Sequence, residues 1–151
     1  MSDLDDLYQE IILDHNRRPR NYGPLADATH QAEGHNPLCG DEVTVFLHLD
    51  GDIISNITFD GQGCAISKAS ASLMTTRLKG RSLDEANRLL EEVRALLTAP
   101  EETPPDLESL GDLAALAGVR KFAVRVKCAT LAWHTLEAAL TGRKQVSTEE
   151  A

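Results

Sequence analysis

No run of apolar residues in this 151-residue chain approaches the ~20 that a membrane-spanning helix requires. The opening Met1-Ser2-Asp3-Leu4-Asp5-Asp6 lacks the basic start and apolar core of a secretory signal. These absences lead us to expect a cytoplasmic protein with no membrane partner. Positive charge is also scarce: 15 Lys and Arg stand against 24 Asp and Glu, a formal net charge of -9. Nucleic acid is thereby disfavoured, because cations that neutralise phosphates supply most of that affinity. Hydrolase chemistry finds no foothold either, since no Ser-His-Asp order, His-Glu-x-x-His, phosphate loop or paired carboxylates stand out. Cysteine is rare: Cys39, Cys64 and Cys128 are the three in the chain, and no two form a Cys-x-x-Cys pair. An odd number cannot all pair within the chain, and a reducing compartment keeps thiols free, so no disulfide framework is expected.

What is present suffices for one ordinary core. With 42% hydrophobic residues, a single domain is expected over residues 1–142, followed by a polar, disordered tail over 143–151. Leu4, Leu7, Tyr8 and Ile11 recur at three- and four-residue steps and predict an amphipathic helix from Ser2 to about Asn16, closed before Pro19. The stretch from His15 to Pro24 mixes cations with chain breakers and reads equally as a solvated linker or a docking patch. Val43, Val45, Leu47 and Leu49 alternate with polar neighbours, as do Ile53, Ile57 and Phe59 after Asp50-Gly51, which predicts an antiparallel hairpin. Thr29 to His35 adds a weaker third strand. The second hairpin strand runs into Gly61-Gln62-Gly63-Cys64, and Ala65 to Lys79 reads as a helix lined with Ala and Ser. A dinucleotide fold is rejected, because Ile66 stands where its third glycine belongs and the strand is part of a hairpin. Ser82-Leu83-Asp84-Glu85 is a capping box opening a helix to about Thr98, a shorter helix spans Leu107 to Gly118, and a last one follows Cys128.

The chemistry concentrates in Asn36-Pro37-Leu38-Cys39-Gly40-Asp41. In extended chain, side chains two residues apart leave the same face, so Cys39 and Asp41 can aim at one point. Cys64 and Cys128 each follow a segment expected to deliver the thiol to a helix beginning, where the helix dipole favours thiolate. Cys39, Asp41, Cys64 and Cys128 thus make a possible tetrahedral site. Taken singly, each thiol also reads as a small core side chain, Cys128 most of all. If the four residues meet, three thiolates and a carboxylate suit Zn²⁺, while the thiolates alone could hold an iron–sulfur cluster. His15, His30, His35, His48 and His134 show no repeated spacing and read as structural or solvated, His35 being the one near Cys39.

Several motifs in order identify a family. Asp14-His15 through Asn21, Asn36-Pro37-Leu38-Cys39-Gly40-Asp41, Gly61-Gln62-Gly63-Cys64-Ala65-Ile66-Ser67 and Lys127-Cys128-Ala129-Thr130-Leu131-Ala132-Trp133 resemble the IscU/NifU-type iron–sulfur assembly proteins, and most closely the SufU branch. Scaffold members carry His immediately before the third cysteine and a Leu-Pro-Pro-Val-Lys segment upstream; this chain has Lys127 and Phe122-Ala123-Val124-Arg125-Val126 instead. The resemblance implies an α+β fold, with a small antiparallel sheet of about three strands packed by helices. It also implies a Zn²⁺ site of Cys39, Asp41, Cys64 and Cys128, and a SufS-type cysteine desulfurase as partner, with downstream iron–sulfur assembly proteins as recipients. Cys39 is the expected sulfur acceptor, and Arg125 is expected to reach the desulfurase, whose own pyridoxal phosphate does the cysteine chemistry. The alternative is a scaffold on which an iron–sulfur cluster is assembled and transferred.

Overall fold

The computed structural model describes residues 3–120 and 122–148. Helix α1 spans Asp3–Arg17, so Ser2, the expected first residue, lies outside the described residues, as does the end of the expected tail from 149. Strands β1 (His30–Asn36), β2 (Asp41–Asp50) and β3 (Ile53–Gln62) form an antiparallel meander, followed by α2 (Ala65–Leu78) and α3 (Leu83–Thr98). A single turn, α4 (Leu107–Leu110), leads into a 3₁₀ helix, Gly111–Val119, then α5 (Ala123–Leu140) and a fourth strand, β4 (Gln145–Ser147). The sheet order is β3-β2-β1-β4. The expected α+β architecture is therefore present, with one strand more than expected.

Over Gln145–Ser147, that strand corrects the reading of 143–151 as an unstructured tail. Val146 is buried, and β4 runs parallel to β1 in register Glu33↔Gln145. A short polar segment carries little periodic signal; its order comes from the free edge of β1, whose unpaired backbone groups it satisfies. Three smaller differences have equally local causes. The hairpin closes at Gly51-Asp52 because Asp50 still pairs with Ile53. The helix expected over Leu107–Gly118 breaks after one α turn at Gly111, whose φ of +55° an α-helix does not accommodate. The last helix begins at Ala123 rather than after Cys128, because the stripe of buried residues along α5 extends back through Cys128 to the partly buried Val126.

One face of the sheet carries the core. Val43, Val45 and Leu47 of β2, Ile57 and Phe59 of β3 and Ala32 of β1 pack under α2 and α5, while α1 and the 3₁₀ helix pack behind α2. Helix α2 is buried from Ser67 to Thr75 apart from Lys68, which explains its small side chains: Ser and Ala let helices approach on several sides at once. Their hydroxyls are satisfied across elements. Ser70 Oγ donates to the Ala129 carbonyl (2.6 Å) and accepts from Trp133 Nε1 (3.1 Å), joining α2 to α5. Ser72 Oγ bonds to His15 Nδ1 (2.7 Å) and accepts the Arg20 N–H (2.8 Å), joining α2 to α1 and the segment after it. With Asn21 Nδ2 donating to Thr75 Oγ1, this anchoring excludes the solvated-linker reading of His15–Asn21.

Gly34 sets the distance between sheet and helix. A Cβ there would collide with Thr135 Oγ1 and press on Leu131 Cδ1 at 3.1 Å. Gly34→Ala is expected to lower stability by about 1–3 kcal/mol. The double variant with Thr135→Ala should recover part of that loss, measured by denaturant unfolding; simple additivity of the two single changes would argue against a steric cause.

Candidate metal centre

The centre stands where β1 ends and β2 begins. Asn36 and Asp41 face each other across the two strands, and both point inward at 0% and 2% exposure. Between them, Pro37–Gly40 forms a turn in which Cys39 N–H and Gly40 N–H both donate to the Asn36 carbonyl, at 3.2 and 2.9 Å. Gly40 sits at φ +73°, and this reversal folds Cys39 back over Asp41. Convergence of thiol and carboxylate thus comes from a turn rather than from alternation along an extended chain.

Cys64 lies where its segment was expected to bring it, as the N-cap of α2, and its sulfur accepts the Ser67 N–H at 3.4 Å. Its own N–H donates to Asp41 Oδ1 at 2.9 Å, and its thiol approaches Asp41 Oδ2 at 3.7 Å. Gly63 permits this approach: a Cβ there would stand 2.8 Å from Asp41 Oδ1. Cys128 arrives from the second turn of α5, not from its first residue, and is 3% exposed. Its sulfur lies 3.5 Å from that of Cys39 and accepts from Asn36 Nδ2 at 3.7 Å. Burial foremost, then hydrogen bonding to the Cys64 and Cys39 thiols, pushes the Cys128 thiol well above the usual cysteine range.

Ligand atoms of Cys39, Asp41 and Cys128 all lie within 4.8 Å of one another, a group that could hold a metal ion. Cys64 adjoins it through the Asp41 carboxylate. Sulfurs bound to one tetrahedral ion at about 2.3 Å sit about 3.8 Å apart, close to the Cys39–Cys128 separation, so the donor set and spacing suit such an ion. His35 is not part of it; its ring faces Glu42 (3.7 Å), because adjacent residues of β1 point to opposite faces. Arg125 lies on the first turn of α5, its guanidinium 4.4 Å from the centre of the Phe122 ring.

Two residues at this site, Asn36 and Thr148, carry no role in the sequence pattern. Asn36 stood inside a quoted motif, but nothing in its spacing told that an amide would meet a sulfur; Gly63 was expected to help turn the chain toward Cys64, and its further part is to admit the Asp41 carboxylate where a Cβ would stand. Thr148 lies in the segment expected to be a tail.

Metal uptake requires the thiols to lose protons, so affinity is expected to fall as pH drops from about 8 to about 6. Titration with Co²⁺ as a spectroscopic stand-in should show sulfur-to-metal charge-transfer absorption saturating at one equivalent. Cys128→Ser should weaken binding at least about 100-fold, since even hydrogen-bonding partners of ligands are worth 10–100-fold. Unchanged affinity in that variant would remove Cys128 from the centre.

Comparison with known proteins gives the family. Residues 7–129 match the family described as NifU-like N terminal domain. The zinc-dependent sulfurtransferase SufU of Bacillus subtilis is 43% identical over 136 residues, covering 90% of each chain. The iron–sulfur cluster assembly scaffold protein IscU of Streptococcus pyogenes is 39% identical over 140 residues, covering 93% of this chain and 86% of its own. Among solved structures, a candidate iron–sulfur cluster assembly scaffold protein for the SUF system from Fervidobacterium islandicum superposes with a TM-score of 0.79 at 35% identity, over 87% of this chain and 94% of that one. The chain belongs to the NifU-like N-terminal domain family, with SufU and IscU proteins of iron–sulfur cluster assembly among its relatives.

Proposed function

We propose that this chain is a zinc-dependent sulfur acceptor, which takes persulfide sulfur from a SufS-type cysteine desulfurase and relays it to iron–sulfur assembly proteins in the cytoplasm. The observation that carries the reading is the unequal exposure within one thiol cluster: Cys39 is exposed, Cys64 intermediate and Cys128 buried. A site built only to hold an ion would gain from burying all of its sulfurs. One left at the surface can meet a second protein's sulfur. The SufU relative, named a zinc-dependent sulfurtransferase, supports the same assignment.

Cys39, Asp41, Cys64 and Cys128 would hold Zn²⁺, which keeps thiols ionised at neutral pH and adds no redox chemistry. The transfer itself belongs to Cys39. Its thiolate attacks the terminal sulfur of the partner's cysteine persulfide, and a new S–S bond forms on Cys39 as the partner's S–S bond breaks. The electron pair leaves with the partner's cysteine as thiolate, and any proton on the terminal sulfur stays on that sulfur as it moves to Cys39. No net oxidation occurs. Asp41, bound through Oδ1 to the Cys64 N–H, keeps its place at the start of β2 while Cys39 acts.

The rim suits a protein partner. Leu38, Phe122 and Val124 expose 59%, 44% and 53% of their surface near Cys39 and the start of α5, and Arg125 is stacked on Phe122 among them. A pre-positioned arginine is a frequent anchor of an interface, and exposed apolar groups around it help to exclude water. Among the described residues no helix is long and apolar enough to cross a membrane.

A second reading, assembly and transfer of an iron–sulfur cluster on these thiols, is favoured by the IscU relatives, which are named as scaffolds. Alanine output of the cognate desulfurase separates the two. The acceptor reading expects strong stimulation by the zinc-loaded chain and its loss in Cys39→Ala. It also expects about a tenfold rise in half-saturating concentration for Arg125→Ala, the effect of losing ~1.4 kcal/mol at an interface arginine. Absence of stimulation with a filled zinc site would move the assignment to the scaffold.

A further inference from the structure

The three sulfurs are unequally supplied with hydrogen-bond donors. Cys64 Sγ accepts the Ser67 N–H at 3.4 Å, and Cys128 Sγ accepts from Asn36 Nδ2 at 3.7 Å. Among the described residues no nitrogen donates to Cys39 Sγ, whose polar contact is the Cys128 sulfur at 3.5 Å.

The orientation of the Asn36 amide follows from its other partners. The Leu38 N–H points at one end of it from 3.2 Å, and the Thr148 hydroxyl stands 3.3 Å from the same atom. A backbone N–H can only donate, so that end is the carbonyl oxygen and the end facing Cys128 is the NH₂ group. An NH₂ group in turn can only donate, which suits an ionised sulfur. Thr148 is held by its own backbone: its N–H donates to the His35 carbonyl at 3.0 Å, continuing the pairing of β4 with β1. Asn36 and Thr148 are 0% and 7% exposed, so water does not substitute freely for either.

We infer that Asn36, set in place by Thr148 at the end of β4, is a positioning residue that marks Cys128 as the sulfur retained at the centre and leaves Cys39 as the transferring one. An N–H donor draws charge from a thiolate and fixes its direction, lowering its nucleophilicity; a thiolate without one keeps it. The C-terminal strand thereby reaches the chemistry through a chain of two hydrogen bonds, Thr148 to Asn36 to Cys128. This inference rests on the zinc-site and sulfur-acceptor reading above and concerns the division of labour within it.

The test uses the full chain and Zn²⁺ alone, without a desulfurase. Zinc affinity is measured by chelator competition, and the order of thiol alkylation in the zinc-loaded protein is mapped by peptide mass spectrometry. Thr148→Val keeps the shape and removes the hydroxyl; affinity should fall about tenfold and the preference for alkylating Cys39 over Cys128 should shrink. Thr148→Ser, which restores the hydroxyl, should return both to wild-type values, and Asn36→Ala should exceed Thr148→Val in both. Should Asn36→Ala fail to fold, the threonine pair still decides. A folded Thr148→Val with wild-type affinity and wild-type alkylation order would overturn the inference, as would failure of Thr148→Ser to restore them. Wild-type protein that binds zinc yet does not stimulate a desulfurase would count against the sulfur-acceptor reading alone.

Discussion

A buried carboxylate governs how this molecule is put together. Asp41 is 2% exposed, and a carboxylate so placed requires compensation by hydrogen bonds. Oδ1 takes the N–H of Cys64, the residue that caps α2, so the charge sits at the positive end of that helix and ties it to the first residue of β2. Removing a Cβ at position 63 makes the approach sterically possible. One side chain thereby joins sheet and helix, with the Cys64 thiol 3.7 Å from its Oδ2 and the Cys39 thiol within 4.8 Å of the carboxylate.

Close packing of α2 supplies the rest of the geometry. Because Ser and Ala face its neighbours, α5 comes near enough for Ser70 to bridge Ala129, the residue after Cys128, and Trp133. A larger residue on α2 would push α5 outward and carry Cys128 away from Cys39. Gly34 plays the matching part under α5, where Thr135 leaves no room for a side chain on β1. The thiols are assembled from a turn, a helix cap and a helix interior by contacts that are mostly small-residue packing, while exposure falls from Cys39 through Cys64 to Cys128. That gradient orients the site, with one sulfur at the surface and Cys128 in the core.

Much of this was legible in the sequence because it is written in local patterns. The capping box at Ser82, the alternation along β2 and β3, and Gly-Gln-Gly before Cys64 each report short-range geometry, and α2 and α3 stand within a residue of their expected places. Long-range consequences were not legible. Cys128 could not be placed on the second turn of α5 from the residues before it, since cations and valines there fit strand and helix alike. Nor could β4 be foreseen, because its order is supplied by an edge of β1 more than a hundred residues earlier in the chain. The side-chain donor to a sulfur, Asn36, is an ordinary polar residue whose role exists only in three dimensions, whereas Ser67 donates through its backbone as part of the helix cap.

Joint binding of one zinc ion by Cys39, Asp41, Cys64 and Cys128 is open to X-ray absorption spectroscopy of the zinc-loaded protein, because the scattering shell reports the ligand count and type. Three sulfurs at about 2.3 Å and one oxygen at about 2.0–2.2 Å are expected, with the oxygen contribution altered in Asp41→Ala. A shell of two sulfurs with nitrogen or water, or one unchanged in Asp41→Ala, would contradict it.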